Sequence, residues 1–91
     1  MSVSQNTKLY EELLEEFARM LLVVINKLPG DVSPEVAGKF LSTAPRTLSI
    51  WRSTGRYNLP YYKAGRTVRY RVTDLVKFKA SRMRGHTGEV A

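Results

Sequence analysis

Two short stretches of this 91-residue sequence gather cations beside aromatic and small polar side chains: Pro45–Ser53, PRTLSIWRS, and Tyr61–Tyr70, YYKAGRTVRY. Wound as a helix with Leu48 and Trp51 turned inward, the first presents Arg46, Ser49, Ile50 and Ser53 on its opposite face, because successive residues step by roughly 100°. That face is short, polar and singly charged, with one apolar member, and suits a major groove. Arg46 fits guanine or a phosphate, Ser49 and Ser53 donate or accept, and Ile50 fits a thymine methyl. Thr47 and Arg52 lie on the flanks, where phosphates run. A different reading keeps Ile50 buried against an N-terminal helix. In the second stretch, two alternating runs are read as strands with Ala64-Gly65-Arg66 as their turn. Tyr62, Val68 and Tyr70 are expected to pack on the helices, leaving Lys63, Arg66, Thr67 and Arg69 on the other face and the tip. Gly65 permits positive φ and lets the tip approach another backbone. The aromatics would anchor a hairpin that is marginal alone, and the anchored hairpin would hold cations against a polyanion, with arginine favoured in a narrow minor groove. The alternative is a solvated basic hairpin with no ligand.

The elements that must position these residues follow from pattern. Residues 1–6 are polar and are expected to be disordered. Leu9, Leu13, Phe17, Met20 or Leu21, Val24 and Leu28 recur at helical spacing, so residues 7–28 read as an amphipathic helix capped by Thr7 and stopped by Pro29-Gly30, although LLVVIN is also strand-like. Leu14, Leu22, Val23 and Ile25 lie off its main stripe. Either the helix completes the core, or part of it meets another protomer. Ser33-Pro34 opens a second helix and Pro45 a third, which Gly55 ends; two short helices joined by about three residues make a helix-turn-helix. Thr73 is expected to cap a fourth helix, Asp74–Arg82, before a flexible tail, 83–91. The fold class is α+β, mainly helical: a winged helix-turn-helix over residues 32–82 with an added N-terminal helix.

Charge is divided unevenly along the chain. Residues 1–31 hold three cations and five acids, net −2, and residues 32–91 hold twelve cations and three acids, net +9. So basic a stretch favours a polyanion as partner, nucleic acid before an acidic membrane, since the basic part is not one long amphipathic helix. MLLVVI is too short to cross a bilayer, and acidic YEELLEE stands where a signal peptide would be basic. There is no cysteine, hence no disulfide framework and no thiolate metal site, and the sole histidine, His86, stands in the tail. With no phosphate-binding glycine loop, and with Glu11, Glu12, Glu15 and Glu16 read as a solvated helix face, no catalytic constellation is present. No enzyme activity, cofactor or metal is expected, and the location expected is cytoplasmic and nucleoid-associated.

The run SPEVAGKFLSTAPRTLSIWRSTGR, followed by LPYYKAGRTVRYRVTDLVKFKASR, resembles the MerR-like winged helix-turn-helix of the excisionase and AlpA-type small regulators over about residues 32–82. The resemblance implies that Arg46 and Thr47 open a recognition helix and that Gly65-Arg66 forms a wing tip. It also implies a protein of a prophage or other mobile element. Its role would be that of a recombination directionality factor, binding repeated sites cooperatively, bending double-stranded DNA and assisting a site-specific recombinase, an integrase, in excision. The alternatives are an AlpA-type transcription regulator, self-associated through residues 7–28, and an adaptor acting through its apolar first helix. One departure is Ala44, which stands where the family tends to carry a capping serine; the long N-terminal helix is another.

Overall fold

The computed structural model describes the backbone of residues 2–90 and the side chains of residues 7–83. The side chains of residues 1–6 and 84–91, His86 among them, fall outside the described ones; along the backbone residues 2–6 belong to α1 and 84–90 to α4, where disordered and flexible ends were expected. In chain order the elements are α1 (Ser2–Leu21), a 3-10 turn (Ile25–Lys27), β1 (Asp31–Val32), α2 (Pro34–Leu41), α3 (Pro45–Thr54), a second 3-10 turn (Arg56–Asn58), β2 (Tyr62–Ala64), β3 (Thr67–Arg71) and α4 (Val72–Val90). The architecture is α+β, mainly helical, with one small antiparallel sheet in the order β1-β3-β2, and is compatible with a winged helix. Two compact units divide the chain: residues 1–28 with 76–91, and residues 29–75.

In the first unit α1 buries Leu13, Phe17 and Ala18, and α4 buries Val76 and Ala80. Lys79 Nζ donates to Glu16 Oε2 at 2.8 Å, so Glu16 belongs to an ion pair and not to a purely solvated face. The helix expected over residues 7–28 begins at Ser2, so Thr7 is not its cap, and it stops at Leu21. Leu22 adopts φ 60°, its N–H donates to Arg19 O, and the Val23 N–H donates to Ala18 O. These two bonds form a Schellman cap, an exit that normally takes glycine because a side chain in the left-handed region costs about 1–2 kcal/mol. The β-branched run after Leu22 does not continue the helix, and Val24, expected on the buried stripe, is 63% exposed.

The second unit buries Val32, Ala37, Phe40, Leu48, Leu59, Tyr70, Val72 and Leu75, each large side chain contributing about 1.5–3 kcal/mol. α2 begins where Ser33 Oγ accepts the Val36 N–H, with Pro34 in the first turn. It ends in a second Schellman cap, with Ser42 at φ 55°: Ser42 N–H donates to Lys39 O and Thr43 N–H to Gly38 O at 2.8 Å. The three residues Ser42–Ala44 turn the chain into α3. This turn closes tightly over Gly38, where a Cβ would lie 2.3 Å from the Thr43 carbonyl oxygen.

Ala44 stands at the N-cap of α3 with extended backbone and no side-chain hydrogen bond. The neighbouring Thr43 hydroxyl is turned back to donate to Leu41 O, and its oxygen accepts no N–H of α3 among the described bonds. Ala44→Ser is therefore expected to stabilise the chain by about 1 kcal/mol, read as a rise in Tm in a thermal melt.

The hairpin differs from the expected one in its turn. Ala64 pairs with Thr67, Lys63 with Val68 and Tyr62 with Arg69, so the loop is the two residues Gly65-Arg66, with φ 65° at Gly65. Glycine at the first loop position fits a type II′ turn. The expected three-residue turn would have paired Tyr62 with Val68; a slip of one residue exchanges the faces of a whole strand. Tyr62 accordingly shares a face with Arg69, and not with Val68 and Tyr70, while Lys63 moves to the Val68 side. On the other edge of β3, Val32 pairs with Tyr70 and Asp31 with Arg71. β3 runs straight into α4, whose Val72 N–H donates to Gly30 O at 3.0 Å. The fourth helix thus starts two residues before Asp74, and Thr73 is not its cap. It also continues through Met83, where the tail was expected to begin.

Candidate nucleic-acid interface

The face expected of α3 is the face left open. Leu48 is fully buried, whereas Arg46, Ser49 and Ser53 are exposed and Ile50 is 51% exposed. Within residues 29–75 no side chain buries Ile50. Thr47 is half-buried. The Ser53 hydroxyl donates to Ile50 O at 3.0 Å, which uses its proton and leaves its oxygen as an acceptor. Trp51 is half-buried, edge-on to Tyr57 with centroids 4.8 Å apart.

Arg52 is committed inside the unit. Its Nη1 donates to the Tyr70 hydroxyl at 2.6 Å, and its guanidinium lies 5.8 Å from the Tyr61 ring centroid and 5.9 Å from that of Tyr70. The contact fixes α3 to β3.

At the hairpin, Lys63, Arg66 and Thr67 are exposed around the Gly65 turn. Arg69 is not the free cation it was expected to be. Its Nε donates to Asp31 Oδ1 at 2.8 Å and its Nη2 to Asp31 O at 3.2 Å, while the Tyr62 hydroxyl donates to Asp31 Oδ2. One carboxylate thus links all three strands on one face of the sheet. Nothing local in the sequence marks Asp31 for this: β1 has only two residues and pairs with a strand some forty positions away. Arg71 is likewise paired, with both oxygens of Asp74 at 2.8 and 3.1 Å.

Hydrogen bonds from Tyr62 and then Arg69 hold the Asp31 carboxyl below its ordinary value, and the Tyr62 bond to Asp31 raises the phenol. A depressed carboxyl stabilises the folded state above its unfolded pKa and loses that contribution as pH falls through the folded value. Order at the hairpin is therefore expected to persist at neutral pH and to weaken below about pH 4. Asp31→Asn should remove this acid dependence, as followed by amide exchange of Tyr62–Arg71.

Once Asp31 and Asp74 have taken Arg69 and Arg71, the exposed cations of residues 29–75 that make no ion pair include Arg46, Lys63 and Arg66. The segment carries eight cations against three acids, net +5. Among the described residues there is no helix long and apolar enough to cross a membrane and no cluster of His, Cys, Asp or Glu suited to a metal ion. Comparison with family models, curated proteins and solved structures finds no match to this chain.

Proposed function

We propose that this chain is a double-stranded-DNA-binding protein of winged helix-turn-helix type. In this reading α2 and α3 form the helix-turn-helix and β2–β3 the wing. The observation that carries it is the α3 surface: Arg46, Ser49, Ile50 and Ser53 are open on one side of a helix whose Leu48 is fully buried on the other. A half-exposed isoleucine among small hydroxyls and one guanidinium suits a groove lined by thymine methyls and base edges. Lys63, Arg66 and Thr67 at the hairpin tip would meet the backbone or a neighbouring minor groove.

Within that class, the role best suited to this surface is that of an excisionase. A face with a single arginine reads little sequence per copy, so useful specificity would come from several copies on adjacent repeats, bending the DNA for an integrase. Its place of action would be the cytoplasm, on the nucleoid. A transcription regulator is the second reading, favoured by one observation: Leu22, Val23, Val24 and Ile25 form an unbroken exposed apolar run, Leu22 at 90%. This run would be the self-association surface within residues 7–28, since Leu13 and Phe17 of the helical stripe are buried. Leu22→Ser with Val24→Ser is expected to lower the mass seen by size exclusion with light scattering; an unchanged mass would remove the run from any oligomer contact.

Footprinting on the DNA around the gene tests the function. Protection of regularly spaced repeats supports excision, and a single two-fold site supports regulation. No protection above non-specific binding would leave the adaptor reading.

A further inference from the structure

Beyond the duplex-facing surface, the second unit carries a cleft of about 360 Å³ toward the C-terminal end of α3. Trp51, Arg52, Arg56, Asn58, Tyr61 and Tyr70 line it, over a floor that includes Leu48 and Leu59; no acidic side chain contributes. The volume falls within the range of small-ligand sites.

The lining is held in place by internal contacts. Trp51 is braced edge-on by Tyr57 at 4.8 Å, and Tyr61 lies 6.3 Å from Tyr70 with the rings tilted by 48°. The Arg52 bond to the Tyr70 hydroxyl fixes the guanidinium beside both tyrosines. Gly55, Tyr57 and Asn58 all take positive φ, 71°, 67° and 54°. For a bulky residue such as Tyr57 this is a true outlier, and strain of this kind gathers at binding sites. The bend brings Arg56 and Asn58 to the same cleft that Trp51 lines.

Aromatic faces offer stacking to a planar ring, the Asn58 amide can both donate to and accept from a base edge, and the guanidiniums call for an anion. We infer that this cleft binds a nucleotide, an unpaired base carrying its phosphate, at a site separate from the Arg46 face. The phosphate would fall to Arg56, whose guanidinium lies 5.4 Å from the Tyr57 centroid and makes no ion pair among the described residues. The base would stack against the aromatic lining. The same chemistry is offered by a free nucleoside monophosphate and by a nucleotide unstacked from a DNA strand.

Trp51 is the only tryptophan, so its fluorescence reports the cleft directly. The full chain is titrated with deoxyadenosine monophosphate, with a single-stranded deoxyadenosine oligomer and with a poly-glutamate peptide, exciting at the red edge. Saturable quenching by the monophosphate is expected, weakened about tenfold by Arg56→Gln. Asn58→Gly keeps the left-handed backbone while removing the amide and should weaken it as well. Quenching by the oligomer alone assigns the site to a strand and also supports the proposal. Quenching by the acidic peptide alone, or by none of the three, overturns it. Arg46→Ala should leave this quenching intact while weakening duplex binding, so failure of the cleft and failure of the duplex reading are told apart.

Discussion

Gly38→Ala is expected to destabilise the chain by about 3 kcal/mol, at the upper end of the usual cost of forcing an extra methyl into packed space. For a domain of this size that corresponds to a fall in Tm of roughly 12–24 °C. The reason is geometric. The added Cβ would sit 2.3 Å from the Thr43 carbonyl oxygen, with the Thr43 carbonyl carbon at 3.5 Å and Pro45 Cδ at 3.7 Å. Its nearest neighbour is backbone, so no rotamer change relieves the clash. That backbone is also fixed, since the Thr43 N–H closes the end of α2 on Gly38 O at 2.8 Å. Relief requires α2 and α3 to separate, which would loosen the burial of Phe40 and Leu48. DNA binding should fall with stability, and circular dichroism should separate the two by showing how much fold survives at low temperature. A melting temperature within a few degrees of the parent would mean that the turn is not as tight as described.

Arg46→Ala and Arg66→Ala should both weaken duplex binding, in different ways. In the proposed reading Arg46 meets a base or phosphate from the start of α3, so its loss should cost about 1–3 kcal/mol and relax discrimination at one position. Arg66, at the hairpin tip, meets the backbone or a minor groove. Losing it should weaken all duplexes alike and reduce the log–log salt slope by about 0.9. Among the described residues neither side chain makes an ion pair, and both are exposed, so their removal should barely change Tm. Arg69→Ala should behave differently, weakening the hairpin itself because it deprives Asp31 of a partner. Glu12→Ala, on the acidic side of α1, should leave DNA binding unchanged.

The contrast between these arginines bears on what a sequence discloses. Helix-start chemistry was legible: Ser33-Pro34 and Pro45 each open a helix where they stand, and Gly55 closes α3 at φ 71°. The buried and open faces of α3 also followed from spacing, because Leu48, Arg46 and Ile50 are local to one helix. What escaped was non-local. The hairpin register turned on whether the loop has two residues or three, and that single residue decided the fates of Tyr62 and Lys63. β1 was too short to announce itself, so Asp31 counted only as one more acid and Arg69 looked like a free cation. The end of α1 escaped for another reason: Leu22 takes a left-handed conformation for which leucine has no preference, and helical periodicity ran on past it. The cleft beside Trp51 likewise depends on Tyr57 and Asn58 adopting positive φ, which neither residue type advertises.

The central claim is that an open α3 face and the hairpin tip bind a DNA duplex. Its most direct test is fluorescence anisotropy of a labelled duplex, titrated with the full chain across a range of salt. With Lys63 and Arg66 each neutralising a phosphate, the expected log–log slope is about −1.8, and about −2.7 where Arg46 meets a phosphate and not a base, at about −0.9 per contact; it should become shallower when Arg66 is lost. Binding that is absent at low salt, or unaffected by salt and by both arginine substitutions, would contradict it.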